Sequence, residues 1–272
     1  MTATRSLWKT LIALVLTAVM LFPVYWIVNV SLTKTSNLRR SPPSLLPLDP
    51  TLEGYIAAFS QQLPQLGTSI LVGLGTVLLT LAVAAPAGYA MATLNLKGRQ
   101  GLSFILLVAQ MVPAVVMAMG FYAIYLKLGL LNSVWGLILA DSTIAIPFAV
   151  LLLQAFMSGI PTELLQAARL DGSGVWRTFV SIILPLSRNS LLTVSLFAFL
   201  WAWSDFIFAS TLNRSGDLIP ITLGIYKFIG NNTTQWNAIM ATAVIASIPA
   251  AVLLVVAQRY VAAGVTAGAV KD

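Results

Sequence analysis

The chain has 272 residues, with 15 Lys and Arg, 8 Asp and Glu, no His and no Cys. Charged residues make up 8%, against about 25% in an ordinary soluble protein, while 58% is apolar and the mean hydropathy is +0.91. These values argue against a cytosolic enzyme and a disordered chain, and the missing Cys and His remove disulfides, Fe–S clusters, thiolate zinc sites and the commonest general base. The net charge of +7 is scattered between apolar blocks, a pattern of membrane flanks rather than of a nucleic-acid surface.

A membrane-spanning helix needs about 20 mainly apolar residues. Lys9 to Lys34 encloses 24 uncharged residues, Glu53 to Lys97 encloses 43, and Arg99 to Lys127 encloses 27. Asp141 to Glu163 encloses 21, and Lys227 to Arg259 encloses 31. Arg188 to Asp205 encloses 16, with apolar text continuing to Leu212. The pattern predicts an all-α polytopic membrane protein with six transmembrane helices at about 9–32, 66–93, 101–126, 134–157, 189–212 and 238–260. Arg5 and Lys9 before an apolar run resemble a signal peptide, but the run is too long and lacks a small-residue cleavage site, so it is read as a retained helix.

Three connecting segments have character of their own. Residues 33–65 are polar and carry Pro42, Pro43, Pro47, Pro50 and Pro64, which predicts an irregular external connection. Residues 213–237 read as a second external loop with short helical structure around 219–229. Residues 158–188 carry helix signals without the length to span. The expected organisation is therefore 1–65 as first helix and connection, 66–260 as a five-helix core holding the 158–188 loop, and 261–272 as a tail. With the N-terminus inside, nine Lys and Arg fall on the inner side and six on the outer, a weak inside bias.

The text from Pro161 to Pro185 is PTELLQAARLDGSGVWRTFVSIILP. Thr162 is a candidate cap, with Glu163 in the positive first turn. Leu164, Leu165, Ala167, Ala168 and Leu170 make the short helix mostly apolar, and Asp171-Gly172 ends it. Ser173 is a candidate cap for a second helix bearing Val175, Phe179 and Ile183 at i, i+4 and i+8. On periodicity alone this is either an amphipathic hairpin on the membrane surface or a socket piece presented to a soluble partner.

The spacing Gln166-Ala167-Ala168, three residues, Gly172, nine residues, Ile182-Ile183-Leu184-Pro185 resembles the cytoplasmic loop of ABC-importer permeases. That family's pattern begins with Glu where Gln166 stands here, which leaves any ion pair at this point in doubt; Glu163, on nearly the same face, is a candidate replacement charge. Further stretches extend the resemblance along most of the chain. Among them are Gly88-Tyr89-Ala90, Leu96-Lys97-Gly98-Arg99, Met111-Val112-Pro113, Lys127 to Asn132, Trp201 to Asp205 and Gly264 to Lys271. As a whole the chain is similar to the smaller permease of maltose-type carbohydrate importers.

The resemblance implies a type I ABC importer permease fold in a prokaryotic cytoplasmic (inner) membrane, with both termini cytoplasmic. It implies a second permease subunit, an ATP-binding cassette ATPase dimer carrying ATP and Mg, an extracytoplasmic solute-binding protein and a sugar substrate. No Gly-x-x-x-x-Gly-Lys-Ser/Thr occurs here, so no cofactor, catalytic residue or metal site is expected in this chain. Membrane lipid is an expected contact and nucleic acid is not. Glu163, Gln166, Ala167, Ala168, Asp171 and Gly172, with Arg177, are the implied ATPase-coupling residues. Gly264, Thr266, Gly268 and Lys271 of the tail are implied to reach the ATPase as well.

Asp141 and Asp205 are acids inside expected spans, where charge is expensive and suggests a pathway or a paired site. With Trp203 they are candidate translocation residues, against an interfacial placement of Asp205 in an aromatic belt. Pro86, Pro113, Pro147 and Pro249 also fall within spans and are candidate kinks. The competing readings are an ion-coupled secondary transporter, which needs more buried ionisable groups and repeated halves than the chain offers, a membrane enzyme, and an ABC permease for a non-sugar solute.

Overall fold

The computed structural model describes residues 2–94, 96–213, 218–231 and 235–269, with the side chains of 2–6, 257 and 259–269 excepted. Among the described residues every regular element is helical. In chain order they are α1 (Thr2–Leu32), α2 (Glu53–Thr93), α3 (Arg99–Ala109), α4 (Ala114–Leu128), α5 (Val134–Met157) and α6 (Thr162–Leu170). There follow α7 (Val175–Thr178), a π-helical turn (Phe179–Ile183), α8 (Leu184–Leu186), α9 (Arg188–Ser204), α10 (Ile207–Leu212), α11 (Ile221–Asn231) and α12 (Trp236–Ala269). Among the described residues four helices are long and apolar enough to cross a membrane, or up to six if α3 with α4, and α7–α8 with α9, each count as one bent span. Two compact units are formed, one of Met1–Pro64 with Gly224–Ile248 and one of Gln65–Leu223 with Pro249–Asp272.

In the first unit, every described side chain of α1 from Leu7 to Tyr25 is exposed. A helix uncharged from Thr10 onward presents such a surface to lipid or to another membrane helix rather than to water. Near its end α1 turns polar and buried, at Asn29 and Ser31. The following connection is pinned by side chains that donate to backbone carbonyls. Tyr25 donates its hydroxyl to the Leu45 carbonyl, Asn29 its amide to Ser44 at 3.1 Å, and Asn37 its amide to Leu48 at 3.3 Å. Ser31 and Tyr55 share a hydrogen bond of 2.8 Å, and Thr35 donates to the side-chain oxygen of Asn237 at 3.0 Å. The expectation of an irregular 33–65 is corrected here, because α2 starts at Glu53 and runs for 41 residues. Thr51 accepts the Glu53 N–H at 3.2 Å and Glu53 sits in the first turn, which together start the helix early.

In the second unit, α2 presents a stripe of small residues: Ser69, Gly73, Thr76, Thr80, Ala84 and Gly88 are all buried. Small residues let helix backbones approach closely. A Cβ at Gly88 would stand 2.9 Å from Leu153 Cβ and 3.2 Å from the Gln154 nitrogen, so α2 and α5 touch there almost backbone to backbone. One core joins Tyr89, Leu153, Met157, Phe179, Ile183 and Val194. Another joins Val72, Ala118, Tyr125, Ile138, Ala202 and Phe208.

The expected span 134–157 coincides with α5, whose start is capped by Ser133 accepting the Gly136 N–H at 3.0 Å. Two other expected spans are broken helices. Residues 101–126 fall on α3 and α4, which meet at 92°. Pro113 has extended dihedrals and takes the N-cap of α4; with no N–H, and with an extended bias on Val112, it stops one helix and starts the next instead of kinking a continuous one. Residues 189–212 fall on α9 and α10, separated at Asp205 and Phe206. By contrast Pro86, Pro147 and Pro249 lie within helices that continue through them. Helix α12 continues beyond 260 to Ala269.

Candidate functional site

The connection from α5 to α9 is built by local rules. Pro161 occupies the N-cap of α6 with extended dihedrals, and its carbonyl accepts the Leu164 N–H at 3.2 Å. Thr162 is therefore the first helical residue rather than the cap, and no side chain caps this end. At the other end Gly172 is left-handed, with φ +74°. Its N–H donates to the Arg169 carbonyl at 3.1 Å and the Ser173 N–H donates to Ala168 at 2.9 Å. These are the two bonds of a Schellman stop, and they place glycine where a Cβ is disfavoured.

Helix periodicity then sorts the side chains. Leu165 and Ala168 face the protein itself, Ala168 being only 4% exposed. Glu163, Gln166, Ala167 and Leu170 share the open face, and Leu170 is 88% exposed. Asp171, Gly172 and Arg177 are exposed as well. The implied coupling residues Glu163, Gln166 and Ala167 thus share one face of α6, while Ala168 packs inward. Leu170 is an addition to the coupling residues, and Trp176, read from the sequence as a contact to a partner or to lipid headgroups, is 69% exposed. Leu170 lies four residues after Gln166, so helical spacing was the signal for it.

The second half of the connection anchors the first. Gly174, not Ser173, takes the N-cap of α7, and the Ser173 hydroxyl instead pairs with that of Thr178 at 3.2 Å. Phe179 is buried and stacks on Tyr89 of α2 with centroids 5.2 Å apart, while Trp176 lies 5.3 Å from Phe179. The chain then widens into the π-helical turn, so that Phe179 and Ile183 bury while Val175 stays exposed. Aromatic stacking and burial of this size fasten the α6 segment to the end of α2.

The candidate pathway residues have different surroundings. Asp141 is buried in α5. Asp205 caps α10, accepting the N–H of Phe208 at 3.1 Å and of Ala209 at 2.8 Å. Its own carbonyl accepts the Thr222 hydroxyl at 2.5 Å. Trp203 is buried and stacks on Phe199 at 5.4 Å. Of the tail residues, Gly264, Thr266 and Gly268 belong to the backbone of α12, and Lys271 lies outside the described residues. Among the described residues no group of three or more His, Cys, Asp or Glu could hold a metal ion.

A family model described as the binding-protein-dependent transport system inner membrane component matches residues 84–267, which include the whole α5–α9 connection. The sulfoquinovosyl glycerol transport system permease protein SmoH of Agrobacterium fabrum is 33% identical, over 92% of this chain and 89% of that protein. The trehalose transport system permease protein SugB of Mycobacterium tuberculosis is 33% identical, over 92% of each. A chain of a bacterial ABC transporter involved in the import of the acidic polysaccharide alginate superposes with a TM-score of 0.82 at 20% identity, over 96% of this chain and 98% of that one. That likeness is one of fold, the type I ABC importer permease fold. The chain belongs to the family of inner membrane components of binding-protein-dependent transport systems, permease subunits that work with an ABC ATPase and a solute-binding protein.

Proposed function

We propose that this permease forms half of the translocation pore of an ATP-driven sugar importer and couples to its ATPase through α6. The observation that carries the reading is a short helix with an open face of Glu163, Gln166, Ala167 and Leu170, fastened from behind by Leu165 and Phe179 to the core that holds Tyr89 of α2. The 88% exposed Leu170 offers this face an apolar contact that a docked partner would bury. ATP-driven closure of a docked ATPase would displace α6, and the Phe179–Tyr89 stack would pass that displacement to α2 and so to the pore. This is a shift between two states of the pore, driven by differential contacts in each.

A sugar cargo is supported by the relatives, named for sulfoquinovosyl glycerol and trehalose transport, and by the alginate importer of like fold. In this reading the α6 side and both termini are cytoplasmic, a second permease completes the pore, and two ATPases carry ATP and Mg. Gly264, Thr266, Gly268 and Lys271 add a second contact to the ATPase. Asp141, Asp205 and Trp203 stand along the pathway.

The test is transport by the assembled complex in proteoliposomes with its binding protein and a panel of sugars. Burying a leucine is worth about 1.5–3 kcal/mol, so Leu170→Asp is expected to cut ATPase co-purification and uptake by about tenfold or more. Unchanged uptake in that variant would refute the docking role of α6. Uptake of non-sugar solutes only would refute the sugar class and leave the docking role standing.

A further inference from the structure

A groove of about 470 Å³ runs between α3 and α5 in the second unit, and the transport reading does not use it. Arg99, Gln100, Ser103, Phe104 and Leu107 of α3 line it together with Gln154 of α5. The five α3 residues stand at i, i+1, i+4, i+5 and i+8, so they share one face of the helix. Their chemistry changes along it. The first turn carries the cation and an amide, and the turns after it carry Phe104 and Leu107, which are 67% and 53% exposed. From Arg99 to Leu107 the helix rises about 12 Å.

The guanidinium is held in place but not neutralised. With the Gln154 amide oriented by its neighbours, its oxygen accepts from Arg99 Nε at 3.2 Å and from Nη2 at 3.1 Å. The Ser103 hydroxyl stands 3.5 Å from the same amide. Nη2 also donates to the hydroxyl of Ser158, the C-cap of α5, at 3.4 Å. Both partners of Arg99 are neutral, and among the described residues neither N–H of Nη1 is taken. Because the guanidinium reaches from α3 to Gln154 on the opposite wall, it closes one end of the groove, where Arg99 stays partly exposed. Gly98 takes the N-cap of α3 without a side chain to meet the first-turn N–H groups, which adds positive partial charge at that end.

A guanidinium fork with a free edge matches the geometry of a phosphate. A soluble anion would leave Phe104 and Leu107 uncovered, and an uncharged lipid would leave the cation unpaired. The occupant that fits carries an anionic phosphodiester with an acyl chain below it. We propose that this groove binds an anionic phospholipid of the leaflet on the α6 side, with its phosphodiester on Arg99, Gln100 and Ser103 and an acyl chain along Phe104 and Leu107. The inference rests on this lining, and failure of the coupling reading would not touch it.

The test uses the complete transporter in nanodiscs of phosphatidylcholine and phosphatidylglycerol in equal amounts, with p-benzoylphenylalanine in place of Phe104. Light cross-links that side chain to its neighbours, and mass spectrometry reads the ratio of the two lipids captured. The same probe in place of Phe22, 51% exposed on the uncharged stretch of α1, reports the bulk ratio. At position 104 phosphatidylglycerol is expected to exceed the bulk ratio about fivefold, the effect of one cation at the membrane surface. Arg99→Gln is expected to remove the excess, and Arg99→Lys to keep part of it. Gln100→Glu, at an exposed side chain tolerant of change, is expected to remove it as well. No lipid captured at 104, a bulk ratio there, cross-links to a protein subunit instead, or an excess that survives both Arg99→Gln and Gln100→Glu in assembled complexes would overturn the proposal.

Discussion

The connection from α5 to α9 and the connection from α1 to α2 are both non-spanning segments between long helices, and different forces hold them. In 33–52 the chain follows no regular path beyond one short 3₁₀ turn, and side chains fix it by donating to carbonyls, as Asn29 does to Ser44 and Asn37 to Leu48. In 158–187 the backbone satisfies itself through α6, a Schellman stop and a π-helical turn, and aromatic rings supply the anchor. A segment pinned carbonyl by carbonyl suits a fixed wall. A helix with its own hydrogen bonds, bolted at one point to another helix, suits a lever that moves as a unit. The same contrast separates their surfaces: the lever keeps Leu170 and Trp176 uncovered, while the wall turns Asn29 and Thr33 inward.

The largest effect is expected at the bolt. Phe179→Ala removes a buried aromatic from the Tyr89 stack, a class of change that costs about 3–5 kcal/mol. Uptake by proteoliposomes should fall steeply while α6 still binds the ATPase; loss of binding with uptake preserved would break the lever account. Next is the stop. Gly172→Val forces a β-branched residue to φ +74°, at a cost of more than the roughly 1–2 kcal/mol of ordinary residues there. Gly172→Asn should recover most of the uptake, because Asn tolerates this conformation.

A smaller effect tests the break at Asp205. Asp205→Ala loses a cap worth about 0.5–2 kcal/mol, to be read as a lower thermal stability of the purified complex. Asp205→Asn keeps one acceptor oxygen where the carboxylate offers two, for one of the Phe208 and Ala209 N–H groups, so it loses part of the cap. If the residue serves only as a cap, uptake survives in Asp205→Asn; if its charge lines the pathway, uptake falls while stability stays above that of Asp205→Ala. The smallest effect is expected in the wall. Asn37→Ala removes amide bonds to Leu48 and to Asp49, the latter 3.0 Å long, together about 1 kcal/mol. Thermal stability should drop slightly and uptake should not change.

Much of this was legible from residue types and spacing. The span at 134–157 emerged from the 21 uncharged residues between Asp141 and Glu163, although Asp141 itself lies inside it. The stop at Gly172 emerged because only glycine enters the left-handed region freely. The break between α3 and α4 did not, since no polar residue other than Gln110 interrupts the apolar text and Pro113 reads equally as a kink or a boundary. The early start of α2 was hidden by the prolines around it, one of which, Pro64, lies inside the helix. The inward turn of Ala168 and the fastening of Phe179 to Tyr89 depend on which face of α6 meets α2. That is a tertiary fact that a motif does not carry. Asn29 looked like one polar residue in a span, and its role emerges only with Ser44 folded over it.

The central claim is that the open face of α6, and not its inner face, meets the ATPase. The chain has no cysteine, so single cysteines give unambiguous cross-links. Ala167→Cys and Leu170→Cys are expected to form cross-links to the ATPase in native membranes, whereas Leu165→Cys and Ala168→Cys are not. Cross-links at 165 and 168 equal to those at 167 and 170, or none at 167 and 170, would contradict the account.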